Sequence, residues 1–182
     1  MKLRLTPAQM LDVWRLHVGY VPPIANAVFT RNDGIDTDSL HRAEINEWYR
    51  RLLLEAPAER LDAEDLSQSV VLPTDADAAD GSTVIELPPS VVRILEVKLS
   101  SWRVPARIVT SPTHILAARQ LHPFTRAGRT KPVALFFGGK LRLYPAARSS
   151  GDRIDSLSAV NYSADVYRFD DSALAALHPK DD

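Results

Sequence analysis

Ionisable side chains come first, because their type and spacing decide what chemistry a chain can do. The five histidines stand at 17, 41, 114, 122 and 178. None forms a His-x-x-x-His pair, so a helix-borne zinc site is not expected. The acidic run 74–86 invites a calcium reading. Asp75, Asp77 and Glu86 fall at the first, third and twelfth positions of an EF-hand-like loop. The remaining positions disagree: Ala79 stands where a fifth ligand belongs, Gly81 arrives one residue late, and strand residues follow where a helix should. A solvated loop between strands is therefore the expected state, with those three carboxylates as candidate ligands. The carboxylates Asp62, Glu64 and Asp65 sit in a polar segment that would not raise a pKa. No serine has a nucleophile-elbow context and no glycine-rich phosphate loop precedes a helix. The expectation is a protein without catalysis or cofactor. With no cysteine it has neither disulfide nor thiolate metal site, which suits a reducing compartment.

Charge is segregated. The formal net charge is −1, yet Val97–Gly151 contains no Asp or Glu and ten cations. Glu55–Glu86 carries nine anions against Arg60 alone. Two solvated faces of opposite sign would suffice. A positive pole that meets nucleic acid, or the acidic pole of a neighbouring copy, is the alternative. Arg126, Arg129, Lys131, Lys140 and Arg142 are the cations expected at a subunit interface or facing DNA.

These residues need elements to hold them, and 182 residues provide one domain, or one core with a helical appendage. Thr6-Pro7-Ala8-Gln9 is a capping box with Pro at the first helical position. Met10, Leu11, Trp14, His17 and Val18 follow on one face, and Gly19 is a stop. Asp12 and Arg15 interrupt this segment, so it lacks a secretory signal core. Gly19–Asp36 is a long connection with Pro22-Pro23 and Asn32-Asp33-Gly34. Its Ile24, Val28 and Phe29, with Trp102, are candidate partner contacts.

A second helix is predicted from Thr37 or Asp38 to Glu55, with Ile45, Trp48, Tyr49, Leu52 and Leu53 as its apolar stripe and Pro57 ending it. A capped turn at 62–65 and a first strand at Val70–Pro73 should follow. Ser82–Leu87 reads as a strand, and Leu87-Pro88-Pro89-Ser90 as a turn. Beyond Arg93, Leu95, Val97 and Leu99 share one face. Ala106–Val109 is another strand, and Ser111-Pro112 opens a short helix to about Arg119, with His114 at its third position. Val133–Phe137, Gly138-Gly139 and Lys140–Tyr144 form a hairpin with a type I′ turn. Leu141 and Leu143 face one side of it, and Lys140, Arg142 and Tyr144 the other. A last strand lies within Ser156–Val166, and a short helix capped by Asp170 or Asp171 runs to Leu177. The fold class is α+β: N-terminal helices on a C-terminal antiparallel sheet or sandwich with one short inserted helix. Residues 1–60 form the helical region and 61–182 the β domain. No segment approaches membrane-spanning length.

The strand, Leu-Pro turn and apolar-apolar-Arg-Ile-x-x-Val-x-Leu run of Glu86–Leu99, with Pro132–Pro145, resembles head–tail adaptor proteins of short-tailed bacteriophages. These are the tail-tubular protein A type and the ring proteins of crAss-like phages. Trp48-Tyr49, Leu52-Leu53-Leu54, Ala56-Pro57 and Leu61 are similar to the helix preceding the sheet in those ring proteins. The resemblance spans about the C-terminal two-thirds, and its motifs are structural. It implies a virion protein made in the bacterial host cytoplasm. Many copies would form a ring, with residues 1–60 docking on the portal protein, further tail or ring proteins below, and non-specific contact with the double-stranded genome in the channel. The basic segment then serves a subunit interface, because a channel that must release DNA gains little from tight phosphate binding. The rival expectation is a nucleic-acid-binding module using residues 98–148, although aromatics do not alternate with its cations as a stacking surface needs.

Overall fold

The structure, a computed structural model, describes residues 1–18, 36–73, 81–148 and 151–177. The fold is mixed α+β, as expected, and it divides into two compact units.

The first unit joins residues 1–62 to the chain from Ser163 onward. Strand β1 (Lys2–Leu5) pairs antiparallel with β9 (Tyr167–Asp170), Leu3 opposite Phe169. Helix α1 (Pro7–His17) starts at the expected capping box: Gln9 N donates to the Thr6 hydroxyl at 3.3 Å, and Thr6 N donates to Gln9 Oε1 at 2.9 Å. Helix α2 (Thr37–Glu55) is capped by Asp36, whose Oδ1 accepts from Asp38 N at 3.0 Å. Arg15 of α1 forms an ion pair with Asp38 of α2. Met10, Leu11, Trp14, Ile45, Tyr49 and Leu53 are buried, and so are Phe169 and Tyr167, both in ring contact with Tyr49. Aromatic rings dominate that contact: Trp48 stands edge-on to Phe169 at 5.3 Å, and Tyr49 to Tyr167 at 4.9 Å. Val18, expected on the α1 stripe, is exposed.

The second unit spans Ala63–Tyr162 and contains two sheets. One has three antiparallel strands in the order β2 (Glu64–Asp65), β8 (Ile154–Asn161), β4 (Val91–Leu99). The other has the order β3 (Thr83–Glu86), β7 (Lys140–Tyr144), β6 (Val133–Phe137), β5 (Arg107–Val109). Both contribute to one core, including Ile85, Val97, Leu99, Leu141, Leu143 and Leu157. The Pro88-Pro89 turn, closed by Val91 N on Pro88 O at 3.0 Å, hands the chain from the second sheet to the first. The expected hairpin is present, with φ of +59° and +75° at Gly138 and Gly139. That pair of left-handed residues is what a two-residue type I′ turn requires.

The structure departs from several expectations. β1 and β9 were not anticipated, and their pairing draws residues after Ser163 into the helical unit instead of the β domain expected over 61–182. Val70–Pro73 is not a strand. Leu66 N donates to Leu157 O, then Leu66 O accepts from Ser69 N and Val70 N, so a turn carries the chain off the ladder after β2. In β4 the inward residues are Val91, Ile94, Val97 and Leu99, with Leu95 only half-buried. A register shift between Ile94 and Glu96 breaks the alternation, as a β-bulge does. β5 runs parallel to β6 because helix α3 (Ile115–Arg119) and the loop after it form a crossover between them. His114 is the N-cap of α3, not its third residue, and its Nδ1 accepts from Leu116 N at 3.1 Å.

Candidate functional site

The β5–α3–β6 crossover carries α3 over the outer face of the four-stranded sheet, and a groove opens on each side of the helix. Strand alternation explains the lining of the first. Val84, Leu135, Phe137 and Val109 point outward because Ile85, Ala134, Phe136 and Leu141 point into the core. With Ala118 and Leu121 of the α3 segment they line an apolar groove of about 430 Å³, rimmed by Lys140 and Arg142. Phe137 is 65% exposed, and Leu121 and Phe124 are also largely open to solvent. Tyr144 faces the same side as Arg142, as expected, but is buried.

The second groove, about 570 Å³, lies between α3 and the loop 125–132. Arg107 of β5, Arg119 at the end of α3, and Lys131 are exposed along it, with Arg126 half-buried. No carboxylate lines it. Gln120, 3% exposed, fixes its wall: Nε2 donates to Leu116 O at 2.8 Å, and Oε1 accepts from Ala127 N at 2.8 Å. Arg126 Nε donates to Gln120 O at 3.0 Å, so this guanidinium is committed to holding the loop. No ion pair engages Arg107, Arg119 or Lys131 among the described residues, whereas Lys2, Arg4, Arg15, Arg51, Lys98, Lys140 and Arg153 each meet a carboxylate.

The five cations singled out by sequence thus part company. Lys131 lines the basic groove, Arg126 braces it, and Lys140 and Arg142 rim the apolar one. Arg129 lies off both: its carbonyl accepts from Arg103 N, and its Nε is buried without a hydrogen-bond partner among the described residues. Arg107 and Arg119 belong to the same acid-free stretch, and only the crossover brings them beside Lys131. Trp102, expected as a partner contact, is a core residue at 2% exposure. The turn closed by Trp102 N on Leu99 O at the end of β4 folds its indole inward. Ile24, Val28, Phe29, Asp75 and Asp77 lie outside the described residues. Glu86 is exposed and meets Lys140 Nζ at 3.3 Å across the β3–β7 pair. No group of three or more His, Asp or Glu that could hold a metal occurs among the described residues.

Away from the grooves, one carboxylate organises a loop. Asp152 accepts from the hydroxyls of Ser100 and Ser101 and from the backbone N–H groups of Ser101 and Arg148, at 2.7–2.9 Å. Burial pushes its pKa up, but these four donors outweigh it and hold the carboxyl below its ordinary value. Asp155 is also held low, first by the hydrogen bond from Lys98. Both tie β4 to the start of β8, which makes them structural. No described helix is long and apolar enough to cross a membrane. Comparison with protein-family models, curated proteins and solved structures finds no match.

Proposed function

We propose that this chain is a non-enzymatic structural protein of a bacteriophage virion, a head–tail adaptor that works as a multi-copy ring between portal and tail. One observation carries the assembly reading: an apolar groove with Phe137 and Leu121 open to solvent, rimmed by Lys140 and Arg142. Contiguous exposed apolar surface of this kind marks a surface that a partner covers. The resemblance of Glu86–Leu99 and Pro132–Pro145 supplies the virion context, and those stretches are the strands β4, β6 and β7 of the second unit together with the turn that precedes β4.

The test is quantitative mass spectrometry of nuclease-treated, density-purified particles from the producing culture. The adaptor reading expects a copy number of a few per cent of the major capsid protein, in fixed ratio to a portal-like protein. Absence from particles would refute it. The convergence of Arg107, Arg119 and Lys131 on the second groove favours a second reading, a nucleic-acid-binding module. That reading requires duplex binding that weakens steeply with salt.

A further inference from the structure

We infer that the basic groove of one copy receives the acidic edge strand β2 of a second copy. This deepens the adaptor reading and rests on it.

The argument starts from what the fold leaves unbalanced. Arg107, Arg119 and Lys131 converge on one groove with no carboxylate in its lining. Like charges placed together repel, so the arrangement is stabilised by an anion from outside the unit. Among the described residues no carboxylate pairs with any of the three, whereas Lys140 on the neighbouring groove meets Glu86. The complementary charge exists in the same sequence: nine anions against one cation over Glu55–Glu86. Within the second unit, the described and exposed carboxylates of that pole are Glu64, Asp65 and Glu86, and Glu86 already meets Lys140. Glu64 and Asp65 form β2, an edge strand with β8 on one side only.

Protein fits the groove better than nucleic acid. The apolar groove with Phe137 and Leu121 shares the α3 wall, and a phosphodiester backbone has nothing to cover it with. The basic groove itself presents no aromatic ring on which a base could stack. A partner bringing carboxylates and apolar groups together satisfies both flanks of α3. A second copy does so at a net charge of only −1 per copy.

The experiment is charge reversal in the full chain, read by mass photometry and sedimentation at low and high salt. One variant carries Arg119→Glu with Lys131→Glu, the second Glu64→Lys with Asp65→Lys, and the third carries all four. Circular dichroism and melting confirm folding, and Arg119→Gln with Lys131→Gln provides a milder version. The inference expects wild-type assembly that weakens with salt, a loss of at least about tenfold in affinity for each reversed pair, and recovery in the fourfold variant. Assembly that ignores groove reversal would overturn the inference and leave the ring standing. Loss without recovery would assign the groove to a different acidic partner and overturn it equally. Groove reversal that abolishes binding of a labelled DNA duplex, with assembly intact, would give the groove to nucleic acid. Wild type that stays monomeric would remove self-association, and the particle measurement then decides the adaptor reading separately.

Discussion

Single residues set the shape of the basic groove, and Gly81 shows how. Its φ is +68°, a conformation side chains rarely adopt, and a Cβ there would stand 2.9 Å from Arg126 Nη1. Arg126 cannot move away freely, because its Nε holds Gln120 O. Gly81→Ala should therefore cost about 1–2 kcal/mol through backbone strain and displacement of Arg126, visible as a lower urea midpoint. An unchanged midpoint would mean that Arg126 is not anchored. Asp152 gives a second test at this scale. Its folded pKa lies below its unfolded value, so its stabilisation is complete above the unfolded pKa of about 3.9 and is lost as pH falls through the folded value. Stability should decline as pH drops from about 5 toward 3, and Asp152→Asn should flatten part of that decline while lowering the neutral-pH stability by about 1–2 kcal/mol. A variant with the wild-type pH slope would show that the four donors do not discriminate the charged form.

Elements with local signals were legible in the sequence, and those made by distant contacts were not. The capping box of α1, the span of α2 and the Gly138-Gly139 hairpin all follow from residues within a few positions of one another. β1 and β9 depend on a partner more than 160 residues away and are only four residues long, so no periodicity announces them. The β4 bulge is likewise a property of the pairing with β8, and it moves the inward face from Leu95 to Ile94. The site divides in the same way. The acid-free run is visible as composition, but the grooves exist only because the β5–α3–β6 crossover sets α3 over the sheet. Gln120 is the residue on which that element depends. Gln120→Leu keeps the size and removes both side-chain hydrogen bonds, stranding Ala127 N and freeing the 126–127 segment. A loss of about 1–3 kcal/mol is expected, with faster amide exchange in residues 119–131 and little change in the first unit. Uniform protection across residues 119–131 would show that the loop is held by other contacts.

At the scale of the whole molecule the two poles differ in place as well as in sign. A groove built from β5, α3 and the loop 125–132 is not the surface that carries β2, so a contact between them joins unlike patches of two copies. Such a contact propagates: each copy offers a groove to one neighbour and an edge to the other, giving a closed ring or an open filament. A two-fold pair is the competing geometry, because there both groove–edge contacts form between the same two copies and growth stops. Mixing the two reversed variants separates these outcomes. Copies with Arg119→Glu and Lys131→Glu keep an acidic edge, and copies with Glu64→Lys and Asp65→Lys keep a basic groove. Alone, each should remain dissociated. Mixed, acidic edge meets basic groove, and the reversed edge meets the reversed groove, so assembly resumes with strict alternation. Native mass spectrometry should find equal numbers of the two variants in complexes larger than two. Complexes of two copies only would establish the two-fold pair and remove the ring geometry, while leaving the groove–edge contact intact.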